Sequence, residues 1–261
     1  MEIDQRRIVL TGASSGIGRE LLLRLGQRPT QIVAAGRNEA ALQAAIAAIP
    51  ARRADVLPFL GDLSRSDEML ALFGAAEQHM GGVDLFIANA GVGHYESILP
   101  PNWERVEQVF RLNVVSTIFA LQKMQAMNVG REFKLVCVAS AMAYWALPGY
   151  AVYAATKAAL ERFAEGARFE LERPQQLMMV YPIATKTDFF ARAGAEGQMP
   201  LFSQSAGQVA EAILRGIRSE ARDVYPSRLF AVALWFDRRL PIVRRIYQKL
   251  ELRRFQNRQK M

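Results

Sequence analysis

The chain has 261 residues, of which 51% are hydrophobic and 22% charged, which excludes a disordered or fibrous protein and suits one large domain. The formal net charge of +8 is unevenly distributed, because residues 228–261 contain ten basic and two acidic side chains. Residues 1–227 therefore form a body with equal numbers of positive and negative charges, followed by a basic extension.

Short apolar runs alternate with helical patterns along the body, which is the order typical of a parallel sheet covered by helices. The predicted strands are Arg7–Thr11, Gln31–Gly36, Val56–Gly61, Val83–Ala88, Phe133–Ser140 and Leu177–Tyr181. The predicted helices are Ile17–Leu25, Ala40–Ala48, Asp67–His79, one or two within Asn102–Val129, and Ala151–Glu172, which ends before Pro174. These elements predict an α/β fold, a Rossmann-like doubly wound parallel sheet flanked by helices, in which ligands bind beyond the carboxyl ends of the strands.

A glycine-rich turn, Thr11–Gly18, joins the first strand to the first helix. Glycines allow a sharp turn and a close approach of the backbone, and a helix N-terminus attracts phosphate. Three glycines before a helix can also form a tight turn without a ligand, but the position between strand and helix favours a dinucleotide site. The residues assigned to it are Gly12, Ser14, Ser15, Gly16, Ile17 and Gly18.

The second strand ends without the acidic residue that usually holds the ribose 2′-hydroxyl of NAD. Gly36 leaves room there, and the guanidinium of Arg37 can pair with the 2′-phosphate of NADP. Asn38 is assigned to the same site. The alternative is a solvated loop arginine, and the sequence favours NADP(H) as the cofactor.

Tyr153 and Lys157 lie four residues apart in a predicted helix, so their side chains share one face. A neighbouring ammonium group favours the phenolate form of a tyrosine, which makes it a usable acid–base catalyst. Ser140 ends the fifth strand and could stabilise a developing alkoxide, while Asn113 could hold a water molecule that links Lys157 to solvent. Taken singly, such residues are more often helix caps or accidental pairs.

In this order, the motifs over residues 6–226 resemble those of the short-chain dehydrogenase/reductase family, in its single-domain branch. The resemblance implies a catalytic tetrad of Asn113, Ser140, Tyr153 and Lys157. Tyr153 would exchange a proton with the carbonyl or alcohol oxygen, and Lys157 would lower its pKa and hydrogen-bond the nicotinamide ribose. Ser140 would orient the carbonyl, and Asn113 would maintain a proton relay.

The resemblance also implies further cofactor contacts from later parts of the chain. They are Asp62, Leu63, Asn89, Ala90, Gly91, Tyr153, Lys157, Pro182, Thr185 and Thr187. The chain departs from the family pattern at Ile183, where glycine is usual, and at Ala88, where asparagine is common. Both departures bear on loop geometry more than on catalysis.

The family resemblance further implies a substrate lid at about residues 188–205 and a homodimer or homotetramer. Phe189, Phe190, Met199 and Phe202 in the lid indicate an apolar substrate. Three residues after Ser140 could line the same pocket or belong to the core: Met142, Tyr144 and Trp145. His94 could contact the substrate, but two histidines are too few for a histidine-based metal site, and we predict no metal.

The basic extension, residues 228–261, begins with an apolar run too short to span a bilayer. Ile242, Val243, Ile246, Tyr247 and Leu250 then recur at helical spacing, which predicts an amphipathic helix. Such a helix can pack on the body or on a second subunit, or lie peripherally on an anionic membrane. Binding to nucleic acid is the least favoured of these alternatives.

The sequence therefore predicts an NADP(H)-dependent oxidoreductase acting on a carbonyl or alcohol group of a small, moderately apolar molecule. A cytoplasmic location follows from the single cysteine, Cys137, which lies in an apolar run, and from a start without the apolar segment of a signal peptide. One alternative is a noncatalytic NADP-binding or membrane-surface protein that retains the fold. A nucleotide-sugar epimerase is a second, although such enzymes usually have a larger C-terminal substrate domain.

Overall fold

The computed structural model describes residues 1–195, 202–237, 239 and 242–259. Within these ranges, seven strands form one parallel sheet in the order β3-β2-β1-β4-β5-β6-β9. The strands of this sheet are β1 (Arg7–Thr11), β2 (Gln31–Gly36), β3 (Asp55–Leu60), β4 (Leu85–Ala88), β5 (Lys134–Val138), β6 (Leu177–Val180) and β9 (Asp223–Val224). A separate two-stranded pair joins β7 (Thr185–Lys186) to β8 (Gln204–Ser205).

Helices cover both faces of the large sheet in the described part of the chain. They are α1 (Gly16–Leu25), α2 (Glu39–Ala47), α3 (Ser66–Met80), α4 (Trp103–Phe110), α5 (Ser116–Met127), α6 (Ala151–Ala167), α7 (Phe189–Arg192), α8 (Ala206–Arg218), α9 (Arg228–Asp237) and α10 (Ile242–Gln259). One core packs β1 and β2 against α1 and α8, and the other packs the opposite face against α3, α5 and α6. None of these helices is long and apolar enough to cross a membrane.

The strand order confirms the predicted doubly wound sheet. The chain runs outward from β1 through β2 to β3 and then returns to β4, which pairs with the other side of β1. The change of direction opens a crevice beyond the carboxyl ends of β1 and β4. Pro58 lies in β3, an edge strand, where a residue without a backbone N–H is tolerated.

Several predicted boundaries are wrong by a few residues. The helix predicted to reach Glu172 ends at Ala167, because Gly166 weakens its last turn and the Arg168 guanidinium instead donates to the Leu177 carbonyl at 3.1 Å. The long stretch Asn102–Val129 holds α4 and α5 joined by a π-helical turn, Arg111–Val115. The two-residue strand β9 was not predicted.

The basic extension folds back onto the body. Phe230 and Leu234 of α9 are buried against Trp145, whose indole Nε1 donates to Asp237 at 3.2 Å. Gln248 of α10 donates to the carbonyl of Ala146 at 2.8 Å. The extension therefore packs on the body, which is one of the placements predicted for it. The side chains of Ile242 and Val243 lie outside the described part of the structure.

Candidate active site

A cleft of about 640 Å³ opens at the carboxyl ends of the central strands. It is continuous from the glycine-rich turn to the predicted catalytic residues. The predicted residues that line it are Gly12, Ser14, Ser15, Gly16, Ile17, Arg37, Asn38, Leu63, Asn89, Ala90, Gly91, Ser140, Tyr153, Lys157, Pro182, Thr185 and Thr187. Gly18, Asp62 and Asn113 were predicted with them but do not line the cleft.

The glycine-rich turn requires glycine for reasons of conformation and space. Gly12 and Gly16 have φ angles of 66° and 54°, in the left-handed region that favours glycine. A Cβ atom on Gly18 would lie 2.0 Å from the Gly12 carbonyl oxygen. Asn89, at the end of β4, donates from its side-chain amide to the carbonyls of Thr11 and Gly12 at 3.0 and 3.3 Å. Gly18 therefore leaves space for the backbone of the turn, and Asn89 holds that backbone by hydrogen bonds.

The N-terminus of α1 fits a phosphate group. Ser15 is the N-cap residue, but its hydroxyl makes no capping bond to the helix, and the first turn contains no acidic side chain. The backbone N–H groups and the positive end of the helix dipole therefore face the cleft without a competing carboxylate. This arrangement fits the pyrophosphate of a dinucleotide.

Arg37 is exposed at the carboxyl end of β2 and lines the cleft. The next residue, Asn38, caps α2 by accepting a hydrogen bond from the backbone N–H of Ala41 at 2.9 Å. Asp62 accepts hydrogen bonds from the backbone and hydroxyl of Ser64 at 3.1 and 2.8 Å. Asp62 thus stabilises a turn beside the cleft, and its predicted contact with the cofactor stays a prediction.

Tyr153 lies on α6 with its ring at the floor of the cleft. Burial raises the pKa of its hydroxyl to about 12, and a hydrogen bond with Ser140 acts in the opposite direction. The Ser140 side chain is also fixed by the backbone two residues further on, since its hydroxyl accepts from the N–H of Met142 at 3.1 Å. The two hydroxyl groups therefore lie close together in the cleft.

Lys157 lies one turn further along α6, with its Nζ 5.5 Å from the centre of the Tyr153 ring. The ammonium group donates to the carbonyl of Val138 at 3.0 Å, which fixes it against the end of β5. Burial lowers the pKa of Lys157. The sequence predicts that Lys157 lowers the pKa of Tyr153. In the structure burial raises that pKa, and the group that acts against burial is Ser140 rather than Lys157.

Asn113 lies in the π-helical turn between α4 and α5 and is buried behind the cleft. Its side chain accepts from the N–H of Val92 at 2.9 Å and donates to the carbonyl of the same residue at 2.8 Å. A Cβ atom on Gly91 would lie 3.3 Å from Asn113 Oδ1 and 3.7 Å from Lys157 Nζ. Asn113 and Lys157 therefore border the same narrow space beside the loop.

The substrate side of the cleft is largely apolar. Phe189 packs on Tyr153 with ring centres 5.3 Å apart, and Phe190 lies behind it. The other apolar lining residues are Met142, Trp145, Leu147, Phe202, Leu229, Phe230, Ala233 and Tyr247. Tyr144 packs instead on Tyr181, His94 does not line the cleft, and Met199 lies outside the described residues.

Three features of the cleft were not predicted from sequence. The basic extension supplies part of the wall through Leu229 and Tyr247, which no local pattern indicates. Gly93 lets the loop after β4 approach Tyr153, since a Cβ atom there would lie 2.9 Å from the Tyr153 ring. Arg192 of α7 reaches the glycine-rich turn, far away in sequence.

Comparison with known proteins agrees with this geometry. The family model of the short chain dehydrogenases matches residues 6–197. An uncharacterized oxidoreductase of Myxococcus xanthus is 33% identical over 231 residues, covering 87% of this chain and 90% of that protein. A short-chain dehydrogenase from Sphingobium yanoikuyae, solved in complex with NADPH, superimposes with a TM-score of 0.78 at 24% identity, over 89% of this chain and 93% of that one. A short-chain dehydrogenase/reductase from Burkholderia phymatum, solved in complex with NAD, superimposes with a TM-score of 0.81 at 20% identity, over 92% of this chain and 96% of that one.

Proposed function

Because the chain belongs to the short-chain dehydrogenase family of oxidoreductases, we propose that it transfers a hydride between NADP(H) and a carbonyl or alcohol group. The observation that carries the proposal is the convergence of Ser140, Tyr153 and Lys157 on one cleft that continues to a phosphate-binding turn. A noncatalytic protein that merely retains the fold would not need these three side chains together.

The nicotinamide supplies the hydride for reduction or accepts it in the reverse direction. For reduction, Ser140 orients the carbonyl oxygen and Tyr153 donates a proton to it. A pKa raised to about 12 keeps Tyr153 protonated at neutral pH, so the acid required for reduction is present. Lys157 would bind the nicotinamide ribose in this mechanism, and its position beside Asn113 supports the proposed proton relay to solvent.

We assign NADP(H) rather than NAD(H) from the end of β2. Arg37 lines the cleft there, and the strand end has no carboxylate that would repel a 2′-phosphate. The guanidinium is exposed, and it makes no hydrogen bond or ion pair with the residues that the structure describes. It is therefore available for a ligand.

The substrate class follows from the wall opposite the glycine-rich turn. Aromatic and aliphatic side chains dominate it, so burial of a moderately apolar carbonyl compound is favourable. The polar groups at its floor, Ser140 and Tyr153, then fix the orientation of the single reacting oxygen. The enzyme works as a carbonyl reductase or, in reverse, as an alcohol dehydrogenase.

We further propose a homodimer or homotetramer that assembles through α4 and the π-helical turn between α4 and α5, called here the α4–α5 face. Trp103, Val106 and Val115 are exposed on this face by 78%, 40% and 56%. The body carries balanced charge, so two copies can meet there without net repulsion. Burial of these side chains between subunits would remove a sizeable apolar surface from water.

We also propose a cytoplasmic protein whose basic extension contacts anionic membranes peripherally. Leu229, Val232, Trp235 and Phe236 of α9 are each more than half exposed, and Leu229 also lines the cleft. The same extension has exposed basic side chains at Arg228, Arg239, Arg245, Lys249 and Arg254, and the Arg239 guanidinium lies 3.8 Å from the centre of the Trp235 ring. Basic and aromatic residues together favour an anionic lipid surface, from which an apolar substrate could enter the cleft.

Substitution of Tyr153 tests the proposed chemistry. We expect Tyr153→Phe to lower NADPH consumption with a panel of apolar aldehydes and ketones by about 100-fold or more, because the proton donor is lost. The absorbance of the reduced nicotinamide measures the rate, and direct titration checks that the variant still binds NADPH.

The matched control is Tyr225→Phe, which removes a tyrosine hydroxyl outside the cleft and should leave the rate unchanged. Equal activity of Tyr153→Phe and wild type would show that the mechanism is wrong. Tight binding of NADPH by the wild type without turnover of any carbonyl would favour the noncatalytic alternative.

A further inference from the structure

The segment that follows β6 crosses back over the glycine-rich turn. Arg192, at the end of α7, donates from Nη2 to the hydroxyl of Ser15 at 3.0 Å, although the two residues are 177 positions apart in sequence. Both side chains line the cleft. Thr187 packs on the same turn, because a Cβ atom on Gly16 would lie 2.9 Å from its methyl group. The segment therefore places a guanidinium at the N-terminus of α1.

The backbone that carries Arg192 is well anchored. The Ala193 carbonyl accepts from the N–H of Tyr95 at 2.7 Å, and Ala195 bonds back to the carbonyl of Phe190 at 2.8 Å. Phe190 is buried among the aromatic residues around Tyr153. Arg192 is thus held at the turn by contacts that do not involve its own side chain.

The surroundings of the guanidinium favour an anion. In the described part of the chain no carboxylate pairs with Arg192, and its guanidinium donates to the neutral Ser15 hydroxyl. That hydroxyl caps none of the α1 amides, which face the same place. An unneutralised guanidinium and a helix N-terminus therefore converge on one point.

We propose that Arg192 binds the pyrophosphate of the cofactor together with the first turn of α1. This inference rests on the proposed binding of a nicotinamide dinucleotide, but not on the preference for NADP. Binding replaces a hydrogen bond from the guanidinium to a neutral hydroxyl by one to a phosphate oxygen, in which donor and acceptor both carry charge and which is therefore stronger. Because α7 also carries Phe189 and Phe190, Arg192 couples cofactor binding to the placement of the substrate wall.

Arg192 and Arg37 recognise different phosphates in this scheme, and that difference can be measured. The pyrophosphate is common to NADPH and NADH, whereas only NADPH has the 2′-phosphate. We expect Arg192→Gln to weaken the binding of both dinucleotides about tenfold, as measured by calorimetry or nicotinamide fluorescence without substrate. Arg37→Gln should weaken NADPH binding alone. Arg192→Lys should recover part of the loss, since it keeps the charge.

Arg162→Gln is the control, because it removes an exposed arginine on α6 that lies away from the cleft and should change neither affinity. Unchanged affinity of Arg192→Gln for both dinucleotides overturns the inference, and so does a loss confined to NADPH. If Arg37→Gln has no effect and wild type binds NADH as tightly as NADPH, the preference for NADP is wrong. In that case, an equal loss of affinity for NADPH and NADH in Arg192→Gln would still support the contact between Arg192 and the pyrophosphate.

Discussion

In the proposed mechanism, Ser140 controls the acidity of Tyr153 as well as the position of the substrate. Burial raises the pKa of Tyr153 to about 12, and the hydrogen bond with Ser140 lowers it. Loss of that bond in Ser140→Ala should raise the pKa of Tyr153 further, so the phenolate fraction falls at every pH below the pKa. Alcohol oxidation requires the phenolate, so the kcat/KM for oxidation should rise with pH. In Ser140→Ala this rise should occur at higher pH than in the wild type.

The measurement is kcat/KM against pH in both directions, for wild type, Ser140→Ala and Ser140→Thr. Carbonyl reduction requires the protonated tyrosine and should depend little on pH around neutrality. Ser140→Thr keeps a hydroxyl and should restore the wild-type profile even if its maximum rate is lower. An oxidation profile that falls in height but does not move along the pH axis would contradict control of the Tyr153 pKa by Ser140.

At the residue scale, the sequence could predict the contacts that follow from local geometry. Tyr153 and Lys157 share a face because they are one helical turn apart, and Ser140 joins them because strand ends meet at one edge of a parallel sheet. Arg192 and Ser15 are brought together only by the path of the segment after β6. No spacing in the sequence encodes that path, so their contact could not be predicted.

At the scale of elements, an ion pair ties the start of β1 to the residue before β4. Arg7 donates to Asp84 from its backbone and from its guanidinium, with the ion pair at 2.5 Å and both side chains largely buried. Burial raises the pKa of Asp84, but the hydrogen bonds and charge of Arg7 outweigh it, and the pKa lies below its usual value. The carboxylate therefore stabilises the fold above a pH of about 4, where an unfolded aspartate is ionised.

We expect Asp84→Asn to lower the free energy of unfolding by about 2 kcal/mol at neutral pH. The difference from wild type should shrink as the pH falls through the lowered pKa of Asp84, where the wild-type carboxyl becomes neutral. Urea unfolding at several pH values measures this difference in the free energy of unfolding. The control is Asp67→Asn, which breaks an exposed ion pair with Arg65 and should have a small effect. A difference that is independent of pH would mean that ionisation of Asp84 does not stabilise the sheet.

The elements themselves were predictable where their patterns are long. α1, α3 and the central strands appear within a few residues of the predicted bounds, because periodic burial determines them. β9 has two residues, too few to show an alternating pattern, and it forms only because β6 is there to pair with it. The π-helical turn at Arg111–Val115 depends on a hydrogen-bond register that a helical sequence pattern does not distinguish.

At the scale of the whole molecule, two exposed apolar faces differ in charge. The α4–α5 face belongs to the neutral body, whereas the face of α9 lies in an extension with ten basic and two acidic residues. A two-fold contact through the extension would place like charges opposite one another, since both subunits use the same patch. An anionic lipid surface avoids this repulsion, so the two faces should have different partners.

Two variants should separate these partners. We expect Trp235→Ser combined with Phe236→Ser to reduce flotation with phosphatidylserine-containing vesicles severalfold at low salt, because both side chains are exposed and, in the proposed membrane contact, would reach the apolar boundary of the lipid. Val115→Glu should leave flotation intact but lower the mass measured by light scattering, because it introduces charge at the proposed subunit contact.

Wild-type binding should weaken at high salt and with phosphatidylcholine alone. Wild-type flotation that is absent, or insensitive to salt, would exclude the electrostatic membrane contact, and a lower mass in the double variant would assign α9 to the subunit interface instead.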